Sequence, residues 1–183
     1  MKWPRDAKIV ELFCGRGNGL RALHSLGFSE VEGIDLSPSL AAEYVGPGKI
    51  LVGDCRCLPF EDTSKDILIV QGGLHHLSLL PDDLDRSLVE AERVLKPQGL
   101  LIVVEPWATT FLSLVHALCR SQTMRMLSPK IDALATMIYY ERQTYHQWLS
   151  QPHLILASLQ RAFQNEYCTF RWGKIYFAGR KRT

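Results

Sequence analysis

The chain has 183 residues, 46% of them hydrophobic and 22% charged, with a net charge of +2. That balance is the one of a soluble globular protein of a single domain, and a charge so near zero names no class of partner. A spanning helix is excluded because no window of about 18 apolar residues occurs, and a signal peptide because the first six residues, Met1 to Asp6, carry neither an apolar stretch nor a cleavage site.

Residues 7–13 read as a first strand, central in a sheet. They run into Glu11-Leu12-Phe13-Cys14-Gly15-Arg16-Gly17-Asn18-Gly19, and then into a helix over 18–27 with Leu20, Leu23 and Leu26 at helical spacing. Strand, glycine turn, helix opens a nucleotide-binding βαβ unit. Such a turn needs positive φ and close approach of a ligand to backbone, and the helix that follows aims free N–H groups at that ligand. An ordinary αβ turn rich in glycine is the alternative. A second strand, 31–35, ends in Asp35, placed as a carboxylate that bonds both hydroxyls of a ribose would be. The plain alternative for Asp35 is a helix cap, a role that Ser37-Pro38 already offers to a short helix over 38–44.

Strand three is read over 49–52, followed by Gly53-Asp54. Strand four, 66–70, is an almost unbroken apolar run, as a strand covered on both faces requires. Gln71-Gly72-Gly73-Leu74-His75-His76 then falls at its carboxyl end, where ligands of open α/β sheets sit. A helix over 82–95 carries Leu84, Leu88, Ala91 and Leu95 on one face. Pro97-Gln98-Gly99 turns the chain into strand five, 100–104, which leads to Glu105-Pro106-Trp107.

Residues 108–164 read as helices over about 108–127, 130–149 and 153–163, broken at Ser128-Pro129 and Gln151-Pro152. Residues 166–171 and 174–179 read as two strands joined at Trp172-Gly173. Two residues allow a hairpin and forbid a parallel crossover, so the last strand is expected to be antiparallel. The tail, 179–183, is expected to be solvated and frayed. The five cysteines are scattered, and Cys55 and Cys57 form C-x-C without a second pair. They read as reduced thiols in a cytoplasmic protein, with no metal expected.

ELFCGRGNG, GIDLS, GDCRCLPFED and LKPQGLLIVVEP, in this order and at this spacing, resemble the successive motifs of class I S-adenosylmethionine-dependent methyltransferases. The likeness is strongest to the small-molecule, type 11-like branch, over residues 7–106, and looser over 165–179. The resemblance implies an α/β fold: a three-layer Rossmann-like seven-stranded sheet, mostly parallel with an antiparallel last strand. It implies S-adenosylmethionine at the carboxyl edge, held by Glu11, Phe13, Gly15, Gly17, Asp35, Leu36, Asp54, Cys55 and Gln71. Asp54 would accept from the adenine amine and a backbone N–H near Cys55 would bond the ring. Phe13 stands where the family has a glycine.

The methyl donor carries the reactivity on its sulfonium, and the protein positions it. His75, His76 and Glu105 are the candidates for a base, should the nucleophile be an alcohol or phenol. Trp107, Tyr139, Tyr140, Tyr145, His146 and Trp148 are candidates to line an apolar acceptor pocket, or to serve as helix packing. The helical insertion at about 108–149 is a possible lid, since about six residues precede strand one; a homodimer or a partner chain supplying a lid is the other arrangement.

The function expected is methyl transfer to a small, apolar or aromatic acceptor. A non-catalytic methyltransferase-like subunit that binds a protein partner is the alternative. Cytosine carbon-5 and amino-methylating nucleic-acid enzymes need signatures after strand four that Gln71-Gly72-Gly73 lacks. Nucleic acid is therefore not expected as a substrate, although 171–183 carries five basic and no acidic side chains. A dinucleotide dehydrogenase would place a glycine where Leu20 stands.

Overall fold

A computed structural model describes residues 3–182. Seven strands form one sheet in the order β3-β2-β1-β4-β5-β7-β6. β1 (Ile9–Leu12) is flanked by β2 (Val31–Asp35) and β4 (Lys65–Gln71), both parallel to it, with Leu12 level with Ile34 and Val70. β3 (Lys49–Val52) extends one edge. β5 (Leu95–Pro106) lies beside β4 with Gln71 level with Val104. The carboxyl ends of β1, β2, β4 and β5 therefore meet along one edge.

The alternation of side chains sorts the core into two layers. Val10, Leu12, Leu68, Val70, Leu101 and Val103 face α3 (Asp82–Val94) and α8 (Pro152–Ala162) through Leu84, Leu88, Ile155 and Leu159. Ile9, Val31, Ile67 and Leu100 face the other way, against Leu20 of α1 (Asn18–Ser25). Glu11 shares that second face by the same period of two. A short helix α2 (Pro38–Glu43) is capped by the Ser37 side chain, which accepts from the Leu40 N–H at 3.3 Å.

The chain ends in β6 (Gln164–Arg171) and β7 (Lys174–Arg180), and β7 runs antiparallel to both β5 and β6, as the two-residue link demands. Both linking residues have positive φ, 52° at Trp172 and 74° at Gly173, the conformation of a tight hairpin matched to strand twist. The tail differs from its expected frayed state as far as residue 182. Gly179 and Arg180 belong to β7, the Lys181 N–H donates to Gly99 O at 2.9 Å, and its ammonium donates to Leu95 O at 2.8 Å. Thr183 lies outside the described residues.

Two expected boundaries move. Pro97-Gln98-Gly99 does not precede β5; it lies within that strand's span as an irregularity, with Leu95 paired to Lys65 and regular pairing resuming at Leu100. The three helices expected after residue 108 are five: α4 (Thr110–Arg120), α5 (Gln122–Leu127), α6 (Pro129–Tyr140), α7 (Arg142–Ser150) and α8. The break at Ser121 is a cap, whose hydroxyl accepts from the Met124 N–H. The break at Glu141 has no side-chain cap.

Candidate functional site

The edge where the strands end is held together by backbone N–H groups seeking carboxylates. Asp35 accepts from the Gly15 N–H at 2.7 Å and from the Ser37 N–H at 2.9 Å, which ties the end of β2 to the glycine turn after β1. Gly15 and Gly17 both have positive φ, 52° and 68°. A Cβ on Gly15 would meet nothing within 4 Å, so its backbone faces open space, whereas one on Gly17 would strike Tyr44 at 2.4 Å.

Glu11 is buried under the start of α1. A Cβ on Gly19 would lie 2.1 Å from its Oε1, so a larger residue there would have to displace the Glu11 carboxylate. Burial, partly offset by a bond from the Leu20 N–H, pushes the Glu11 carboxyl up to about 7.

Phe13 adopts a left-handed φ of 56°, the conformation a glycine would take without strain. Its ring lies against Gly73, where an added Cβ would be 2.2 Å from the ring. The aromatic residue in a glycine's place is thus accommodated by a glycine on the facing loop.

Phe13, Asp35, Leu36, Asp54, Cys55 and His76 come together around a cleft of about 170 Å³, with Arg56, Leu77 and Asp83. Asp54 is engaged there: Arg56 donates to it at 2.6, 3.0 and 3.1 Å and reaches Asp83 at 2.9 Å. These bonds to Arg56, opposed by burial, hold the Asp54 carboxyl below its usual range. The Arg56 backbone N–H also donates to Oδ1 at 2.9 Å, so each Asp54 oxygen already has two contacts from Arg56. Cys55 is buried with its Sγ 3.3 Å from Ser87 Oγ, and burial raises its thiol to about 11, so it is not a nucleophile.

A second cavity, of about 480 Å³, opens beyond His76, which lines both. Gln71, His75 and Glu141 give it a polar end, and Phe111, Val115, Leu134, Met137, Tyr145 and Trp172 make most of the rest. Of the aromatic residues expected to line a pocket, only Tyr145 does so. Trp107 and Trp148 are core, and Tyr139 and Tyr140 are exposed. Trp148 Nε1 donates to Pro106 O at 2.9 Å and pins α7 to the end of β5. Burial pushes the Tyr145 hydroxyl up to about 12, and that group lies 3.1 Å from His116 Nε2.

Glu105 is fully buried. Its Oε1 accepts from the Gly73 and Leu74 N–H groups at 2.6 and 2.9 Å, and its Oε2 lies 2.7 Å from His75 Nδ1. Burial disfavours the charged imidazole, but the Glu105 hydrogen bond and charge, then Glu141, outweigh it and raise the His75 pKa. Burial and the neighbouring His75 lower that of His76. Glu11, Gly15, Gly17 and Glu105 line neither cavity; they shape the loops that do.

Sequence reading missed Arg56, which stands inside GDCRCLPFED without a role assigned to it, Asp83, which no motif marks, and Glu141, which lay inside an expected helix. A third cavity of about 510 Å³, around Lys8, Asp66, Lys96 and Arg180, lies at the opposite edge of the sheet, away from where α/β sheets take ligands.

The strand order, the antiparallel final hairpin and a glycine turn beside a cleft at the carboxyl edge define a methyltransferase-type α/β fold. Residues 10–103 match the family described as methyltransferase domain, and the chain belongs to the class I S-adenosylmethionine-dependent methyltransferases. It is 34% identical over 102 residues to a demethylmenaquinone methyltransferase of Thermotoga maritima, a match covering 54% of this chain and 43% of the relative. A sterol 4-C-methyltransferase of Caenorhabditis elegans is 29% identical over 114 residues, covering 57% and 33%. The chain thus spans less than half the length of these curated relatives. An S-adenosylmethionine-dependent methyltransferase of Methanosarcina mazei has the same fold, with a TM-score of 0.68 at 18% identity over 98% of this chain and 94% of that one.

S-adenosylmethionine is the family's cosubstrate. The open backbone at Gly15, the Asp35 carboxylate and the exposed apolar side chain of Leu36 beside it fit a nucleoside with a sulfonium tail. Among the described residues no helix is long and apolar enough to cross a membrane.

Proposed function

We propose that the chain transfers a methyl group from S-adenosylmethionine to a small apolar or aromatic acceptor seated in the larger cavity. One observation carries this reading: His76 is common to the cleft that fits the cosubstrate and to the cavity lined by Phe111, Leu134, Met137 and Tyr145. The Thermotoga relative is named for a demethylated menaquinone and the nematode one for a sterol. Both are acceptors that a mainly apolar wall suits.

In this reading Asp35 bonds the ribose, Leu36 packs against the nucleoside, and Asp54 accepts from the adenine amine beside Arg56. Bound S-adenosylmethionine supplies the electrophilic methyl. His75 and His76 meet the polar group of the acceptor, and Glu105 acts as a positioning residue that fixes His75 and the 73–75 loop. The helices over 108–149 form the lid.

Calorimetric titration with S-adenosylmethionine and S-adenosylhomocysteine, with NADH as control, tests the cosubstrate. Transfer of labelled methyl to a panel of prenylated quinols and phenols tests the acceptor. Micromolar binding of both sulfur ligands, with label in an aromatic acceptor, is expected. A folded protein that binds neither would overturn the reading in favour of a non-catalytic subunit.

A further inference from the structure

His75, His76 and Glu141 each offer one ligand atom, and these atoms lie within 4.8 Å of one another. His75 Nε2 is 3.4 Å and His76 Nδ1 3.7 Å from the same oxygen, Glu141 Oε2. That oxygen is buried and accepts no hydrogen bond. Glu141 begins α7 without using its side chain as a cap, so its carboxylate is left for the histidines.

The network behind His75 decides which atom faces Glu141. Both oxygens of Glu105 are occupied as acceptors, by the Gly73 and Leu74 N–H groups on one side and by His75 on the other. His75 Nδ1 therefore carries a proton, and in the neutral imidazole Nε2 presents its lone pair to the cavity. A lone pair and a carboxylate oxygen 3.4 Å apart repel unless a cation lies between them. A proton on Nε2 would be one such cation. But the pair lacks hydrogen-bond alignment, Oε2 remains without a donor, and His76 Nδ1 would still be unmatched beside them.

We propose that His75 Nε2, His76 Nδ1 and Glu141 Oε2 form a three-ligand site for a divalent transition-metal ion, with Glu105 orienting His75 from behind. Two imidazoles and one carboxylate suit zinc, iron, cobalt or nickel, whereas magnesium and calcium require mainly oxygen ligands. A carboxylate on the far nitrogen of a ligating histidine is the usual outer-shell arrangement. Metal–ligand bonds of about 2.0–2.2 Å put ligand atoms roughly 3–3.5 Å apart. The two Glu141 distances are already near that value, and the His76 side chain, 41% exposed, has room to turn and close the third.

All three residues line the acceptor cavity, so the open coordination positions face it. The ligand class this selects is a hydroxylated aromatic, whose oxygen binds the ion as its proton leaves to water. Only this use of the ion rests on the methyl-transfer reading; the site itself stands on its own residues.

The test uses untagged protein freed of metal with a chelator. Cobalt(II) is titrated while its visible d–d absorption is recorded, zinc(II) is titrated by calorimetry, and S-adenosylhomocysteine binding is measured in parallel. One equivalent at micromolar affinity or tighter is expected. Glu141→Gln and His76→Gln should each weaken it by at least about 10-fold, while Cys57→Ser, at an exposed thiol, should leave it unchanged. Glu141 and His76 are both partly exposed, so their variants should keep the parent's melting curve. Absence of cobalt bands, or equal affinity in parent, Glu141→Gln and His76→Gln, would overturn the site. Protein that binds the sulfur ligand but no cobalt loses the metal site alone, and protein that binds cobalt but not the sulfur ligand loses the methyltransferase reading alone.

Discussion

Asp35 Oδ2 accepts the Gly15 N–H at 2.7 Å, so the carboxylate ending β2 holds open the glycine turn that follows β1. Its other oxygen accepts the Ser37 N–H at 2.9 Å, and neither bond involves a side-chain donor. Asp35→Ala removes this tie and, in the proposed reading, the ribose acceptor. Affinity for S-adenosylhomocysteine should fall by roughly 10–100-fold, with a stability loss of about 1–2 kcal/mol from two half-exposed N–H groups. Calorimetry and a melting curve measure the two effects; an unchanged affinity would refute the ribose role.

Glu11 gives a dependence on pH. Its carboxyl is raised from 4.5 to about 7 in the fold, first by burial. An unfolded chain then loses this proton before the folded one does. Folding stability should therefore fall as pH rises from about 4.5 to about 7 and level off above that. Glu11→Gln keeps the shape without the charge, so its stability relative to the parent should grow across that window, by the order of 3 kcal/mol. Urea melts at pH 5 and pH 8 check this, and a constant difference between parent and variant would refute it.

Glu105→Gln isolates the orientation of His75. The amide oxygen still accepts the Gly73 and Leu74 N–H groups, but the amide nitrogen now donates to Nδ1 and moves the histidine proton to Nε2. The protein should stay folded while cobalt affinity drops by about 10–100-fold. Glu105→Ala instead strands two buried N–H groups and should cost roughly 2–5 kcal/mol of stability. Equal cobalt affinity in the glutamine variant and the parent would remove Glu105 from the site.

Leu134→Trp separates the two cavities. Leu134 lines the larger cavity and not the cleft. A larger ring there should raise the acceptor KM about 10-fold or more and leave S-adenosylhomocysteine affinity within about 2-fold of the parent. Steady-state kinetics beside calorimetry decide it; a matched loss in both would mean that the cavity holds part of the cosubstrate.

The grouping of Phe13, Asp35, Leu36, Asp54 and Cys55 around one cleft was largely legible from residue order, because it is built from short local signals. A glycine turn, an acidic residue ending a strand and the motif order marked Gly15, Asp35 and Leu36 together. The lining of the 480 Å³ cavity was not, because its wall comes from distant segments. Tyr145 and Glu141 meet His75 only once α7 is pinned by Trp148 to Pro106 O. Glu141 sat inside a stretch whose apolar spacing read as one helix over 130–149, and no Pro, Gly or Ser marked the break. Arg56 escaped because a lone arginine two residues beyond Asp54 has no pattern; only folding sets it between Asp54 and Asp83.

The hairpin turn at Trp172-Gly173 has a consequence for the order in which the molecule can be assembled. Trp172 lines the 480 Å³ cavity with its ring edge-on to Phe111, 5.3 Å between centroids, and the Trp107 N–H donates to Gly173 O at 2.8 Å. No residue beyond Asp83 lines the cleft, although Glu105 of β5 holds the 73–74 loop beside it, whereas the cavity is missing a wall until β6 and β7 have paired beside β5. During synthesis the last residue that lines the cleft is therefore made about ninety residues before the last that lines the cavity. A nascent chain stalled short of residue 172 would hold every lining residue of the cleft and lack Trp172, Gly173 and Lys174 of the cavity.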